Sequence, residues 1–189
     1  MIMDLSHLIT IIYRLPLEVV AQGFFAASLV YLLLRRRYGG VRLFSIASGV
    51  ALSLWLAAVL LITVFERSVG DPVPAQWLPL HSYREILNGG SRELLRTNFM
   101  NVALFYPGGL LAGQFLSEKH PRRFRVITVL LLGAVLSLGI ELCQLHFCVG
   151  QPEIDDVLHN VLGAVLGESC ILAEPILCSL LPVRCEKNS

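Results

Sequence analysis

An all-α integral membrane protein is the fold class this sequence predicts: a polytopic helical bundle of about five transmembrane helices behind an N-terminal amphipathic helix. Three observations predict it. Of the 189 residues, 55% are hydrophobic and only 15% charged, with mean hydropathy +0.68, too few polar groups to clothe a soluble globule. Five apolar runs recur along the chain, each long enough or nearly so for a hydrocarbon core of about 30 Å. The arginines come in blocks between those runs while the acids are spread or paired, so the net charge of +1 hides a strong local pattern. One membrane domain over residues 1–189 is expected, and nothing suggests a nucleic-acid partner.

Taken in order, residues 2–13 carry Leu5, Leu8, Ile9 and Ile12 at helical spacing, with Asp4, Ser6 and His7 interleaved. This predicts a short amphipathic helix lying on the membrane before Pro16. No basic n-region or small-residue cleavage site precedes the first long apolar run, so that run is expected to stay as a span. It covers Leu17 to Leu34, and Arg35, Arg36, Arg37 and Arg42 end it. Leu43 to Phe65 is the second span, with only serines and a threonine as polar members, which can bond back to their own helix.

A long connection follows, Glu66 to Arg96, with WLPLHSYREIL at Trp77 to Leu87; long ordered loops tend to be functional. Asn98 to Leu116 is the third span, and Pro107, Gly108 and Gly109 in its middle predict a kink. Val126 to Cys148 is the fourth and Val157 to about Ala173 the fifth. The five cysteines show no CxxC spacing and read as small buried hydrophobes, with Cys148 nearest the outer surface.

Orientation follows from the positive-inside rule. The first connection holds four arginines and the third holds Lys119, Arg122, Arg123 and Arg125, which makes both cytoplasmic. Val149 to Asp156 has three acids and no basic residue and faces outside; the tail with Arg184 and Lys187 returns inside. The N-terminus is therefore out and the C-terminus in, although Arg67, Arg84, Arg92 and Arg96 weaken the pattern in the second connection.

Placed on this topology, the polar residues form stripes. Gly133, Ser137, Glu141, Gln144 and Cys148 share one face of the fourth span; Asp156, Asn160, Gly163 and Gly167 share one face of the fifth, with His159 at its edge. Asn98, Asn101, Phe105, Gly109 and Ala112 do the same on the third. Each stripe is polar at the outer end and small further in, and the GxxxG spacing of Gly163 and Gly167 suits close backbone approach. The polar ends are expected to converge in an outward-facing pocket, with Glu141 about 10 Å below the outer end of its helix. A carboxylate at that depth is costly unless it is paired, hydrogen-bonded or protonated.

The plainer roles are clear. Asp155 suits an N-cap, Asp156 a first-turn acid favoured by the helix dipole, Asn98 and Asn101 interhelical hydrogen bonds, and His159 packing. Glu141 is the hardest to explain structurally. Glu141, Asp155, Asp156 and His159 offer donor atoms for a divalent cation, but no HxxxH or ExxH spacing supports one, so neither a metal nor a cofactor is expected. Ser82 and Ser137 lack a nucleophile-type turn.

Four motifs in order, LPLHSYREI (Leu78 to Ile86), NVALFYPGGLL (Asn101 to Leu111), the Glu141 and Gln144 pair, and EIDDVLHNVLGAVLG (Glu153 to Gly167), make the chain resemble the VanZ-like membrane family from about Trp77 to Gly167. The patterned positions are Pro79, Asn101, Phe105, Pro107, Gly109, Glu141, Gln144, Asp156, Asn160, Gly163 and Gly167. The chain departs from that pattern at Gly150 and Gln151, where an arginine often stands, at His81, where an aromatic is common, and at Glu153, where an aspartate is. Arg84, Arg92 or Arg96 is the expected substitute for the missing arginine.

The resemblance implies a protein of the bacterial plasma membrane associated with low-level resistance to teicoplanin, a lipoglycopeptide. Its partner would be a membrane lipid, a lipid-linked envelope precursor or the lipoglycopeptide itself. On a binding reading, Asn101, Gln144, Asn160, His159, Asp155, His81 and Arg84 would contact the ligand. On a catalytic reading, Glu141 and Asp156 would act as general acid and base on an amphiphilic envelope substrate. A proton-coupled transporter fits worst, since five spans without internal repeats give no pathway within one chain.

Overall fold

The computed structural model describes residues 16–38, 42–65, 67, 69–71, 73–89, 92–117 and 120–180. The amphipathic helix expected over residues 2–13 and the tail with Arg184 and Lys187 lie outside the described residues. Helices dominate the fold, and no strand occurs among the described residues. α1 runs Leu17–Tyr38, α2 Arg42–Leu60, α3 His81–Leu87, α4 Arg92–Ser117, α5 Arg122–Phe147 and α6 Ile154–Leu180.

Among the described residues four helices are long and apolar enough to cross a membrane: α1, α2 with its extension to Phe65, α4 from Glu93, and α5. α6 is as long, and it carries Asp155, Asp156, His159, Asn160 and Glu168 into the interior of the bundle. Chain direction alternates, so Arg35, Arg36 and Arg37 ending α1, Arg42 opening α2, and Arg122 and Arg123 opening α5 gather at one end. The long connection and the turn before α6 gather at the other.

α6 packs most closely on α4, and glycines explain why. A Cβ at Gly163 would overlap the Val102 carbonyl, one at Gly167 the Tyr106 carbonyl, and one at Gly109 the Ala164 carbonyl. Backbone therefore meets backbone along the whole seam, which is how helices gain contact energy where lipid offers no hydrophobic drive. Pro107 lies inside α4, which continues through it. The Trp55 indole donates to the neighbouring Leu104 carbonyl at 2.9 Å.

α2 ends in a π-helical turn, Leu61–Phe65, a widened geometry frequent at functional sites. α3, a helix the sequence did not announce, forms within the long connection. It starts at Leu80, whose φ of 61° lies in the left-handed region, at a cost of about 1–2 kcal/mol for a residue with a Cβ.

Candidate functional site

The three predicted stripes all turn inward. On α5, Gly133, Ser137, Glu141 and Gln144 are buried, and on α6 so are His159, Asn160, Gly163 and Gly167. On α4, Asn98, Phe105, Gly109 and Ala112 are buried and Asn101 is half-buried. The reason is solvation: lipid surrounds the spans, so polar and small side chains find partners only between helices.

Glu141 is 1% exposed, and its carboxylate accepts the Glu153 backbone N–H at 3.0 Å. The turn before α6 thus caps it. The charges of Asp156, Glu153 and Arg67 act on it as well. Asp156, half-buried in the first turn of α6, feels Glu153, Arg67 and Asp155 and stands beside Asn101. The Asn101 amide nitrogen reaches no acceptor in hydrogen-bond geometry among the described residues. One turn further in, Asn160 donates to Ser137 Oγ at 2.8 Å, and its Oδ1 has no hydrogen-bond partner among the described residues. Glu153, outside the helices, has its carboxyl raised above the usual glutamate value by burial and then by the Asp155 charge.

Other candidates serve the framework. Asp155 accepts from Leu80 N–H at 2.6 Å, Ser82 N–H at 2.8 Å and Ser82 Oγ at 2.7 Å, and Asn98 donates to the same Ser82 hydroxyl at 3.0 Å. It clamps the long connection onto α6 from the first turn, beyond the N-cap expected of it. His159 Nε2 and the Tyr83 hydroxyl share a hydrogen bond of 2.8 Å. Gln144 leaves the cluster to donate to the Thr63 carbonyl at 3.0 Å, bracing the π-helical turn. His81 pairs on the surface with Glu85 at 3.7 Å, and Arg84 is exposed beside it.

Polar ends therefore converge, but as a packed cluster under a cap rather than as an open hollow. The open volume lies deeper. A groove of about 310 Å³ between α2, α4, α5 and α6 is lined by Trp55, Phe105, Gly108, Ala112, Gly133 and Ala164 among others, all uncharged. A second, of about 400 Å³, lies against α1, where the Tyr106 hydroxyl meets Ser28 at 2.8 Å and Cys170 Sγ at 2.9 Å. Among the described residues no group of three or more His, Cys, Asp or Glu side chains is arranged to hold a metal ion.

Two features escaped the sequence reading. Arg67, which the sequence reading did not name as a substitute for the missing arginine, is a cation whose charge acts on both Glu141 and Asp156. It lies over Gly150, where a Cβ would run into its guanidinium. The second is a polar cluster toward the basic end: Arg125 Nε donates to Glu168 Oε1 at 3.0 Å, both nearly fully buried, and Arg35 donates to Gln114. Its signal was present, because Glu168 continues the α6 stripe one turn past Ala164.

A model of the VanZ/LLP1 family matches residues 50–176, about two thirds of the chain. The uncharacterized protein YqgA of Escherichia coli (strain K12) is 36% identical over 78 residues, which is 41% of this chain and 32% of that protein. The chain spans about a third of the length of that curated relative. No solved structure matches. The matched region runs from inside α2 to inside α6 and so takes in the capped acids, the α4–α6 glycine seam and the groove: the chain belongs to the VanZ/LLP1 family.

Proposed function

We propose that this protein is a VanZ-like component of the bacterial plasma membrane that binds an amphiphilic envelope ligand between α2, α4, α5 and α6. The observation that carries this reading is a vertical order of chemistry on neighbouring helices. Glu141, Ser137 and Gly133 descend α5 one turn at a time, while Asp156, Asn160 and Ala164 descend α6. Acids stand at the top, an Asn–Ser hydrogen bond lies beneath them, and the uncharged groove begins at Gly133 and Ala164. A molecule with a polar head and a hydrocarbon chain has the same order.

The chain would occupy the groove beside Trp55, and the head would meet Asp156, Asn101 and Asn160 once the Glu153 cap opens. The basic ends would face the cytoplasm, putting the head outside, where a lipid, a lipid-linked envelope precursor or teicoplanin is found. Retention of a lipid-linked precursor by the purified full chain, read by native mass spectrometry, tests the reading. Ala112→Leu, which fills the groove, should lower retention about tenfold, the loss of roughly one buried chain segment. Unchanged retention in that variant would remove the groove from the site.

A second reading, intramembrane acid–base catalysis, is favoured by the buried Glu141 carboxyl lying within reach of the Asp156 charge, as in paired carboxyls with divided roles. Glu141→Gln preserves shape and removes the titrating proton. Full resistance or turnover in that variant would end the catalytic reading and leave binding.

A further inference from the structure

The segment between α2 and α4 combines two properties that conflict in water. It is tied down tightly: Gly70 N–H bonds to the Cys148 carbonyl, Gln76 exchanges backbone bonds with Pro152 and Ile154, and Asp155 holds Leu80 and Ser82. Yet its large apolar side chains point outward. Trp77 is 45% exposed, Leu80 52% and Leu87 85%, with Leu78 and Tyr83 also exposed. An ordered row of this kind marks a surface that something covers.

Depth identifies the cover. Ser82 of α3 meets Asn98 of α4, and Asn98 lies five residues, or about 8 Å, inside the span that opens at Glu93. Tyr83 reaches His159, more than one turn below the start of α6. α3 therefore sits alongside the ends of α4 and α6 and not beyond them, at the level where such helices enter a bilayer if their apolar windows span it. On its N-terminal side the exposed row approaches exposed apolar residues at the helix ends, Phe65 closing the π-helical turn after α2 and Phe147 closing α5, next to which Gly70 is bonded. Trp and Tyr are the residues that settle at a membrane–water interface.

Leu80 adds a separate indication. Its left-handed backbone would suit glycine or asparagine without strain, but a half-exposed leucine stands there. We propose that residues 73–87 form an interfacial foot, seated in the lipid of the bilayer that the helices span, with Trp77, Leu78, Leu80 and Leu87 in contact with lipid.

Two tryptophans, Trp55 and Trp77, make the test direct. The full chain and its Trp77→Phe variant are reconstituted in phosphatidylcholine vesicles carrying bromine either just below the ester groups or near the chain ends. The difference between the two emissions reports Trp77. Shallow bromine should cut that difference by about half or more, chain-end bromine much less, and aqueous iodide little, as for an interfacial indole. Leu80→Asn, which keeps the backbone conformation, should leave circular dichroism unchanged and raise iodide quenching of Trp77 about twofold. A Trp77 quenched by iodide and by neither lipid would overturn the proposal in favour of a water-facing loop. Shielding from all three quenchers that vanishes on dilution would overturn it in favour of a second copy of the chain.

Discussion

Asp155 accepts three hydrogen bonds from Leu80 and Ser82, and it does so from a nearly fully buried position. Removing the acceptor strands three donors, so Asp155→Ala should destabilise the protein by about 2–4 kcal/mol. Thermal unfolding in detergent would show it, together with new proteolytic cleavage between residues 73 and 89; a melting curve unchanged from the parent would refute the clamp. Two residues earlier, Glu153 predicts a pH dependence. Burial and then the Asp155 charge raise its carboxyl above the usual value, so the folded state holds the proton more tightly than the unfolded one. Its contribution to stability is present below the unfolded value and lost as pH rises through the folded one. Glu153→Gln should therefore gain on the parent as pH climbs from about 4 to about 7, and a difference constant across that range would contradict the assignment. Sequence reading had singled out Glu141 by the cost of burying it, and Asp155 and Asp156 by their place at the start of a helix. It could not tell a clamp from a ligand group, because that depends on Leu80 and Ser82 returning from more than seventy residues away.

Helix by helix, the apolar periodicity was a sufficient guide to the inward faces. In lipid the outer face is free to be uniformly apolar, so any row of small or polar residues at a spacing of three or four must point at protein. The stripes on α4, α5 and α6 were legible for that reason, and Glu168 would have been had the α6 stripe been followed further. α3 was not legible: seven residues give too few turns for a period to stand out, and the residue that caps its start is a leucine in a glycine-like conformation. Glycine substitutions separate seam from surface. Gly163→Ala drives a methyl group into the Val102 carbonyl and should cost about 1–3 kcal/mol. Gly139→Ala enters open space in the middle of α5 and should be neutral or stabilising by up to about 1 kcal/mol. Unfolding by graded sodium dodecyl sulfate compares the two, and equal effects would mean that α4 and α6 do not meet backbone to backbone.

Across the whole bundle the two ends differ in kind. One end gathers Arg35, Arg36, Arg37, Arg42, Arg122 and Arg123, with the buried Arg125–Glu168 pair just inside it. The other gathers Glu141, Glu153, Asp155 and Asp156 under Arg67. A buried pair such as Arg125 and Glu168 stabilises less than its geometry suggests, because both groups lose water. Its position still matters, since it ties α5 to α6 just inside the basic end. Loops rich in arginine resist translocation across the plasma membrane, so the basic end should remain cytoplasmic and the capped acids should face out. Arg67 and Arg84 on the far side do not reverse this, because they stand singly in the sequence, whereas Arg35, Arg36 and Arg37, with Arg42, and Arg122, Arg123 and Arg125 are clustered at the ends of their helices. Labelling in intact cells decides it. In a background whose five cysteines are replaced, a cysteine at exposed Asn88 should react with a membrane-impermeant maleimide, and one at exposed Pro121 should react only after permeabilisation. The opposite pattern would put Glu141, its cap and the groove's polar rim on the cytoplasmic side. No envelope amphiphile of the outer leaflet could then be the ligand.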